Sequence, residues 1–325
     1  MEEIIMNSIY FANNASDYKI MTWVLGNVCN YACTYCPEDL HAGNHRFPSL
    51  ETATDIFFKF RGGENQKVYY EIVGGEPTLW PKLQEYINII SNDNTFIEVN
   101  SNGSRTKRYW DNFKSNVDFF YLSFHPENAD EDKFIETIES LHERYRTHVT
   151  ILLMPAYWDK CKRFFNKIFY DRTDLKINVT FTLVRPNFNG DPEPYTDEMT
   201  EYFNMKKKNR AIPLVKNIPH MLTHNGNLVN WRKFQLNKYN NFKGMHCNAP
   251  KERLYIHVNG DIYHAACMER GSIGNIYTGK YDLSNINPIL CSKERCGCKF
   301  DALSSKNGNY LFKSIDISDT YDKNN

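Results

Sequence analysis

The sequence predicts an α/β protein: an open (β/α)6 array of parallel strands with helices outside it, followed by a small C-terminal domain built around a hairpin. Three observations carry this prediction. Between Met21 and Val184, short apolar runs alternate with stretches of helical periodicity. The runs are rich in Val, Ile, Phe and Tyr and are bounded by Gly, Asn or Pro, which is a strand signature. Pro186, Pro192 and Pro194 with Gly190 then break the pattern, and bunched cysteines follow.

The expected strands are residues 22–25, 68–73, 96–100, 117–124, 148–154 and 176–184. Ala53, Ile56, Phe57 and Phe60 fall at i, i+3, i+4 and i+7, as do Leu83, Tyr86, Ile87 and Ile90. Pro81 stands where a first-turn proline is tolerated. Phe134, Ile135, Ile138 and Leu141 form a third stripe. Six strand-then-helix units imply a parallel sheet. A closed barrel of this kind has eight, so a partial (β/α)6 TIM-like barrel is expected. A short helix is expected from Thr196, and the polar stretch 220–243 has no assignment. Residues 254–258 and 262–265 flank Asn259-Gly260, a strong hairpin signal. The expected organisation is an N-terminal extension (1–19), the barrel (20–190), a bridging region (191–243), the hairpin domain (244–302) and a peripheral tail (303–325).

Composition narrows the function. The 325 residues are 41% hydrophobic and 14% aromatic, enough for a large core. Lys plus Arg and Asp plus Glu are 39 each, which argues against a general nucleic-acid binder. Mean hydropathy is −0.60, and no apolar run approaches the roughly 18 residues of a membrane span. Two acids near the N-terminus oppose a signal peptide, so a cytoplasmic location is expected. Nine cysteines, odd in number and bunched, then point to metal or redox chemistry rather than disulfides.

Cys29, Cys33 and Cys36 lie in the loop after the first strand. Three thiolates on a short irregular loop can hold one corner of a cubane iron–sulfur cluster, leaving one iron open for a ligand. A structural zinc site completed by His41 or His45 is the alternative on this loop alone. The other strand ends add to the picture. The second strand runs into Gly74-Gly75-Glu76-Pro77-Thr78, where two glycines let backbone approach a ligand and Glu76 offers an acceptor for an ammonium group. The third ends in Asn100-Ser101-Asn102-Gly103 and the fourth in Ser123-Phe124-His125. Turn chemistry explains each one singly, but not all of them at the same sheet edge.

On these residues the chain closely resembles the radical S-adenosylmethionine (radical SAM) enzymes over about residues 20–185. Cys29, Cys33 and Cys36 match the family's CxxxCxxC motif, with Tyr35 in its aromatic slot, and Gly74 to Pro77 match its GGEP motif. The resemblance implies a 4Fe–4S cluster on the three cysteines, chelated at its open iron by S-adenosyl-L-methionine. It implies cofactor contacts from Tyr35, Gly74, Gly75, Glu76, Pro77, Asn100, Ser101, Asn102 and Ser123. It also implies reductive cleavage of the cofactor to a 5′-deoxyadenosyl radical, with electrons from a donor such as flavodoxin or ferredoxin.

Cys247, Cys267, Cys291, Cys296 and Cys298 form a second group. It resembles the SPASM and twitch auxiliary domains in part, since the glycine-to-cysteine gap is longer and the full seven-cysteine set is absent. One auxiliary 4Fe–4S cluster is the expectation, with a zinc ribbon as alternative. All five are metal-ligand candidates; Cys247, Cys267, Cys296 and Cys298 are the favoured four, with Cys291 ranked after them. Candidate catalytic residues are Arg185, His125 and Cys291, the last as a hydrogen donor. Cys161 shares a stripe with Phe164, Phe165 and Ile168 and reads as core. His41 and His45 read as loop surface, and the basic run Lys206, Lys207, Lys208 and Arg210 as a solvated face.

Three functions follow from this. The first is hydrogen abstraction from a small polar substrate such as a sugar or nucleotide sugar, giving dehydrogenation, epimerisation or elimination. The second is modification of a peptide by thioether formation, C–C crosslinking or epimerisation. The third is a non-catalytic iron–sulfur or zinc protein, which leaves the GGEP motif without a use.

Overall fold

A computed structural model describes residues 9–13, 15–188, 193–205, 222–224, 227–308 and 318–321. The chain divides into two compact units, one from residues 23–54 and 71–214, the other from 1–22, 55–70 and 215–325. β1 (Ile9–Asn13) belongs to the latter unit. Strand and helix then alternate: β2 (Tyr18–Val24), α1 (Leu50–Arg61), β3 (Lys67–Val73), α2 (Leu83–Ile90), β4 (Thr95–Ser101), α3 (Lys107–Asp111), β5 (Phe119–Phe124), α4 (Glu131–Leu141), β6 (Arg146–Leu153), α5 (Trp158–Asn166) and β7 (Ile177–Leu183). β2 to β7 follow one another in sheet order, and β4, β5, β6 and β7 pair in parallel. The α/β class with a parallel sheet is therefore as expected. α6 (Asp197–Met205) follows, beginning one residue after Thr196.

The apolar stripes place these helices. α2 buries Leu83, Tyr86, Ile87 and Ile90, while Pro81 precedes its N-cap, Lys82, instead of standing in the first turn. α4 buries Phe134, Ile135, Ile138 and Leu141, and the Asp130 carboxylate caps it by accepting from the Asp132 and Lys133 amides. On β5, Phe120, Leu122 and Phe124 are buried, and the Phe124 ring stacks on Phe164 of α5 at 3.8 Å between centroids. Cys161 is fully buried in the same layer. The alternate residues differ. Tyr121 stacks on His148 at 4.6 Å, and His148 Nε2 lies 2.8 Å from Thr180 Oγ1. A parallel sheet covered on both faces reads as unbroken apolar runs. Here one face is apolar and the other carries hydrogen-bonding side chains.

The strand ends of this unit are fastened to one another. Backbone bonds run from Leu25 N to Val73 O, from Gly75 N to Gly26 O and from Glu76 N to Val28 O, at 2.7, 3.0 and 2.9 Å. A Cβ on Gly75 would come within 2.6 Å of Val28 O, so this approach requires glycine. The Glu76 carboxylate is fully buried. Its Oε1 accepts from Thr78 N (3.0 Å), the Thr78 hydroxyl and the Ser101 hydroxyl (2.8 Å), and its Oε2 from Asn102 N (2.6 Å). Asn27, also fully buried, ties the loop ahead: its Nδ2 donates to Asp39 O and Asn44 Oδ1, and its Oδ1 accepts from His45 N.

The other unit holds an antiparallel sheet in the order β15-β10-β16-β1-β8-β9. Its strands are β1, β8 (Leu222–His224), β9 (Asn227–Val229), β10 (His246–Cys247), β15 (Ile289–Leu290) and β16 (Lys306–Gly308). A run of antiparallel pairs comprises β11 (Arg253–Ile256), β12 (Asp261–Tyr263), β13 (Gly274–Asn275) and β14 (Lys280–Tyr281). The described residues of this unit also form the short helices α7 (Trp231–Leu236), α8 (Ala249–Glu252) and α9 (Lys299–Leu303). The basic run at 206–210, the linker residues Gly190 and Pro192, and most of the tail beyond 308 lie outside the described residues.

Replacing Glu76 with Ala would strand the Thr78, Ser101 and Asn102 donors in a dry site at about 1–3 kcal/mol each. Urea denaturation should show a loss of several kcal/mol, whereas Glu85→Ala, which removes an exposed pair with Lys82, should change little. An E76A chain as stable as its parent would remove the carboxylate from its central place.

Candidate functional site

The fastened strand ends surround a cavity of about 340 Å³. Cys29, Cys33, Cys36 and Tyr35 line it from the loop after β2, and Gly74, Gly75 and Glu76 from the end of β3. Asn100, Ser101 and Asn102 line it from β4, and Ser123 and His125 from β5. Pro77 is buried in the turn that Glu76 caps and does not reach the lining. Arg185 is exposed beyond β7 and also lies outside the lining. His41, expected on the loop surface, instead lines the cavity, and its buried Nδ1 has no hydrogen-bond partner among the described residues. The bonds of Asn27 fold residues 39–45 inward and put it there.

Two of the three thiols, Cys29 and Cys33, are held by donors. Tyr31 N lies 3.4 Å from Cys29 Sγ, Asn102 Nδ2 lies 3.8 Å from the same sulfur, and Asn128 Nδ2 lies 3.3 Å from Cys33 Sγ. His125 Nδ1 faces both Cys33 Sγ (3.4 Å) and the Tyr35 hydroxyl, with the Tyr35 and His125 rings parallel. Burial pushes the Cys33 thiol up to about 11 and Cys36 to about 12. A metal must therefore displace protons to bind there. Desolvation lowers His125 to about 4, leaving a neutral ring against the sulfur. Burial likewise raises the Glu76 carboxyl, with the donors of Thr78, Asn102 and Ser101 opposing it.

A second, narrow cavity of about 20 Å³ lies in the other unit. Cys247, Cys267, Cys291 and Cys296 line it, with Asp301 and Lys306. Cys298 does not: it caps α9, with its sulfur 3.9 Å from an Arg253 guanidinium nitrogen. The structure thus brings Cys291, not Cys298, together with the other three, reversing the preference read from spacing. Cys291 N donates to Met245 O, and Cys296 N to Asn240 O. The Asp301 carboxylate accepts from Ala266 N and Cys267 N at 3.0 and 2.8 Å. Among the described residues, no three His, Cys, Asp or Glu side chains converge as ligands of a single ion in either unit.

Residues 23–168 match the profile of the Radical SAM superfamily. A curated S-adenosylmethionine-dependent nucleotide dehydratase from Thermoplasmatales archaeon (strain ISO4-H5) is 31% identical over 172 residues, 53% of this chain and 55% of that protein. The chain thus spans about half the length of the curated relative it matches. Among solved structures, BtrN in complex with AdoMet and 2-DOIA is 12% identical, with 81% of this chain and 80% of that one covered at a TM-score of 0.40. Native anSMEcpe with bound AdoMet and Kp18Cys peptide is 14% identical, with 80% and 77% covered at a TM-score of 0.47. Cys29, Cys33 and Cys36 thus border one cavity inside a segment, residues 23–168, that matches the Radical SAM superfamily.

Proposed function

We propose that this chain is a radical SAM enzyme that takes a hydrogen atom from a small polar substrate, and that the substrate is a nucleotide that then loses water. The carrying observation is the convergence of three thiols, two glycines and the Asn100, Asn102 and Ser123 side chains on one cavity. The nucleotide and the elimination are supported by the dehydratase relative. The polar sheet face bearing Tyr121, Ser123, His148 and Thr180 suits such a substrate better than an apolar one.

The donor set fits a 4Fe–4S cluster at Cys29, Cys33 and Cys36. Three thiolates serve three irons, and the sulfurs border a space instead of meeting at one ion. When bound, the cluster and S-adenosylmethionine together supply a carbon radical able to take hydrogen from an unactivated C–H bond. The chain itself holds and shields. Tyr31 N and Asn102 donate to the Cys29 sulfur and Asn128 to that of Cys33, spreading their charge. Gly74 and Gly75 present bare backbone to the cavity. Glu76 Oε2 has one donor and so keeps acceptor capacity for an ammonium group. The Ser101 hydroxyl is spent on Glu76 and the Asn100 Nδ2 on Glu98 Oε1, while the Asn100 Oδ1 and the Ser123 hydroxyl can serve a bound cofactor.

A second four-iron cluster on Cys247, Cys267, Cys291 and Cys296 is part of the same proposal. The donor set suits it, and seating it requires the four side chains to turn outward from their narrow cavity. The same four thiols also suit zinc, which metal analysis separates from iron.

Anaerobic reconstitution should give about eight irons per chain. Replacing Cys29, Cys33 and Cys36 with Ala together should leave about four; zinc in place of iron, or a colourless chain, would overturn the assignment. Cys291→Ala should also fall to about four irons while Cys298→Ala keeps about eight, and the opposite ranking would return Cys298 to the ligand set. With dithionite, the loaded enzyme should convert S-adenosylmethionine to 5′-deoxyadenosine. Deuterium should pass from a labelled nucleotide into that product as the nucleotide loses water. Cleavage that no nucleotide stimulates would sink the substrate assignment and leave the family chemistry standing.

A further inference from the structure

Lys306 is 1% exposed, an uncommon place for an ammonium group. It lies directly across the β10–β16 pair from Cys247, within side-chain contact range for opposed strand residues. It lines the same cavity as Cys267, Cys291 and Cys296. Its Nζ donates to three backbone carbonyls, Asp301 O at 2.8 Å, Ala302 O at 3.2 Å and Ser304 O at 2.7 Å. Three acceptors match the three hydrogens of a protonated amine. The Phe242 ring lies 4.8 Å from the nitrogen on one side.

These partners orient the charge without cancelling it. All three carbonyls are neutral. The nearby Asp301 carboxylate is already engaged, 3.3 Å from buried Arg253 Nε and accepting from two amides. Glu252 Oε2 accepts from Ser305 N at 2.7 Å. A cation this deep is costly unless an anion shares its surroundings. The groups beside it that become anionic on metal loading are the four thiols.

We propose that Lys306 is the built-in counter-charge of the second metal centre, a positioning residue whose ammonium offsets the thiolates of Cys247, Cys267, Cys291 and Cys296 and raises the reduction potential of the cluster they hold. The inference rests on the second-cluster reading above, and the test separates the two. A positive charge near a cluster favours its reduced, more negative state, so removing that charge makes reduction harder.

The experiment uses the full chain with Cys29, Cys33 and Cys36 replaced by Ala, so that only the second cluster gives a signal. Lys306→Met and Lys306→Arg are compared with it by iron content and by EPR-monitored redox titration. Lys306→Met should shift the reduction equilibrium at least tenfold against the reduced form, about 59 mV for one electron. Lys306→Arg should stay close to the parent. Equal iron with an unchanged potential in Lys306→Met overturns the counter-charge and leaves the cluster assignment intact. A parent without iron overturns the cluster assignment itself. Should Lys306→Met fail to load, loading restored in Lys306→Arg supports the charge requirement, and failure of both variants overturns it.

Discussion

Everything at the first site depends on a buried carboxylate accepting four hydrogen bonds. Glu76 joins the end of β3 to Ser101 and Asn102 at the end of β4, while its own backbone N–H reaches Val28 in the cysteine loop. Three chain segments far apart in sequence are thereby fixed at one depth. A buried charge of this kind is tolerated only when its acceptor sites are filled. Filling them pins Ser101 and Asn102, and Asn102 in turn reaches Cys29 with its side-chain amide. The position of a sulfur thus follows from a carboxylate that never touches it.

The sheet above this hub sorts its side chains by face. Phe120, Leu122 and Phe124 are buried, and Phe124 packs on the α5 ring of Phe164, while Tyr121 and Ser123 face away. One period-two pattern therefore makes both the core and a polar wall. On the proposed function such a wall would have to be rigid, because a substrate free to tumble offers several C–H bonds. The Tyr121–His148 stack and the His148–Thr180 contact supply that rigidity from three adjacent strands.

Much of this was legible before the structure. The cysteine loop, the paired glycines with Glu76, and the polar ends of β4 and β5 are local sequence features, and each keeps its place at a strand end. What escaped lacks local pattern. Asn27 is a lone polar residue whose bonds fix where His41 goes, and no periodicity announces such a clamp. β1 pairs with β8 and β16, hundreds of residues away in sequence, and short strands carry no record of their partner. Spacing favoured Cys298 over Cys291 because it counts residues, whereas membership of the cavity depends on the caps and backbone bonds of β10 and α9. Lys306 stands in a Lys-Asn-Gly run without local pattern, and only the carbonyls around it reveal a buried cation.

The two thiol groups are held by different electrostatics. At the first, neutral donors reach the sulfurs: one backbone amide and the side-chain amides of Asn102 and Asn128. At the second, a full charge stands opposite Cys247. Dipoles stabilise added electrons less than a fixed cation does, because their field falls faster with distance. On the proposed assignment, the second cluster is therefore the easier of the two to reduce. On the proposed function that order suits the chain, because a first cluster that cleaved S-adenosylmethionine would have to be the stronger reductant of the two. A second centre of higher potential can take an electron from elsewhere without competing for that role. The division is written in the side chains around the sulfurs, an amide shell in one unit and an ammonium in the other.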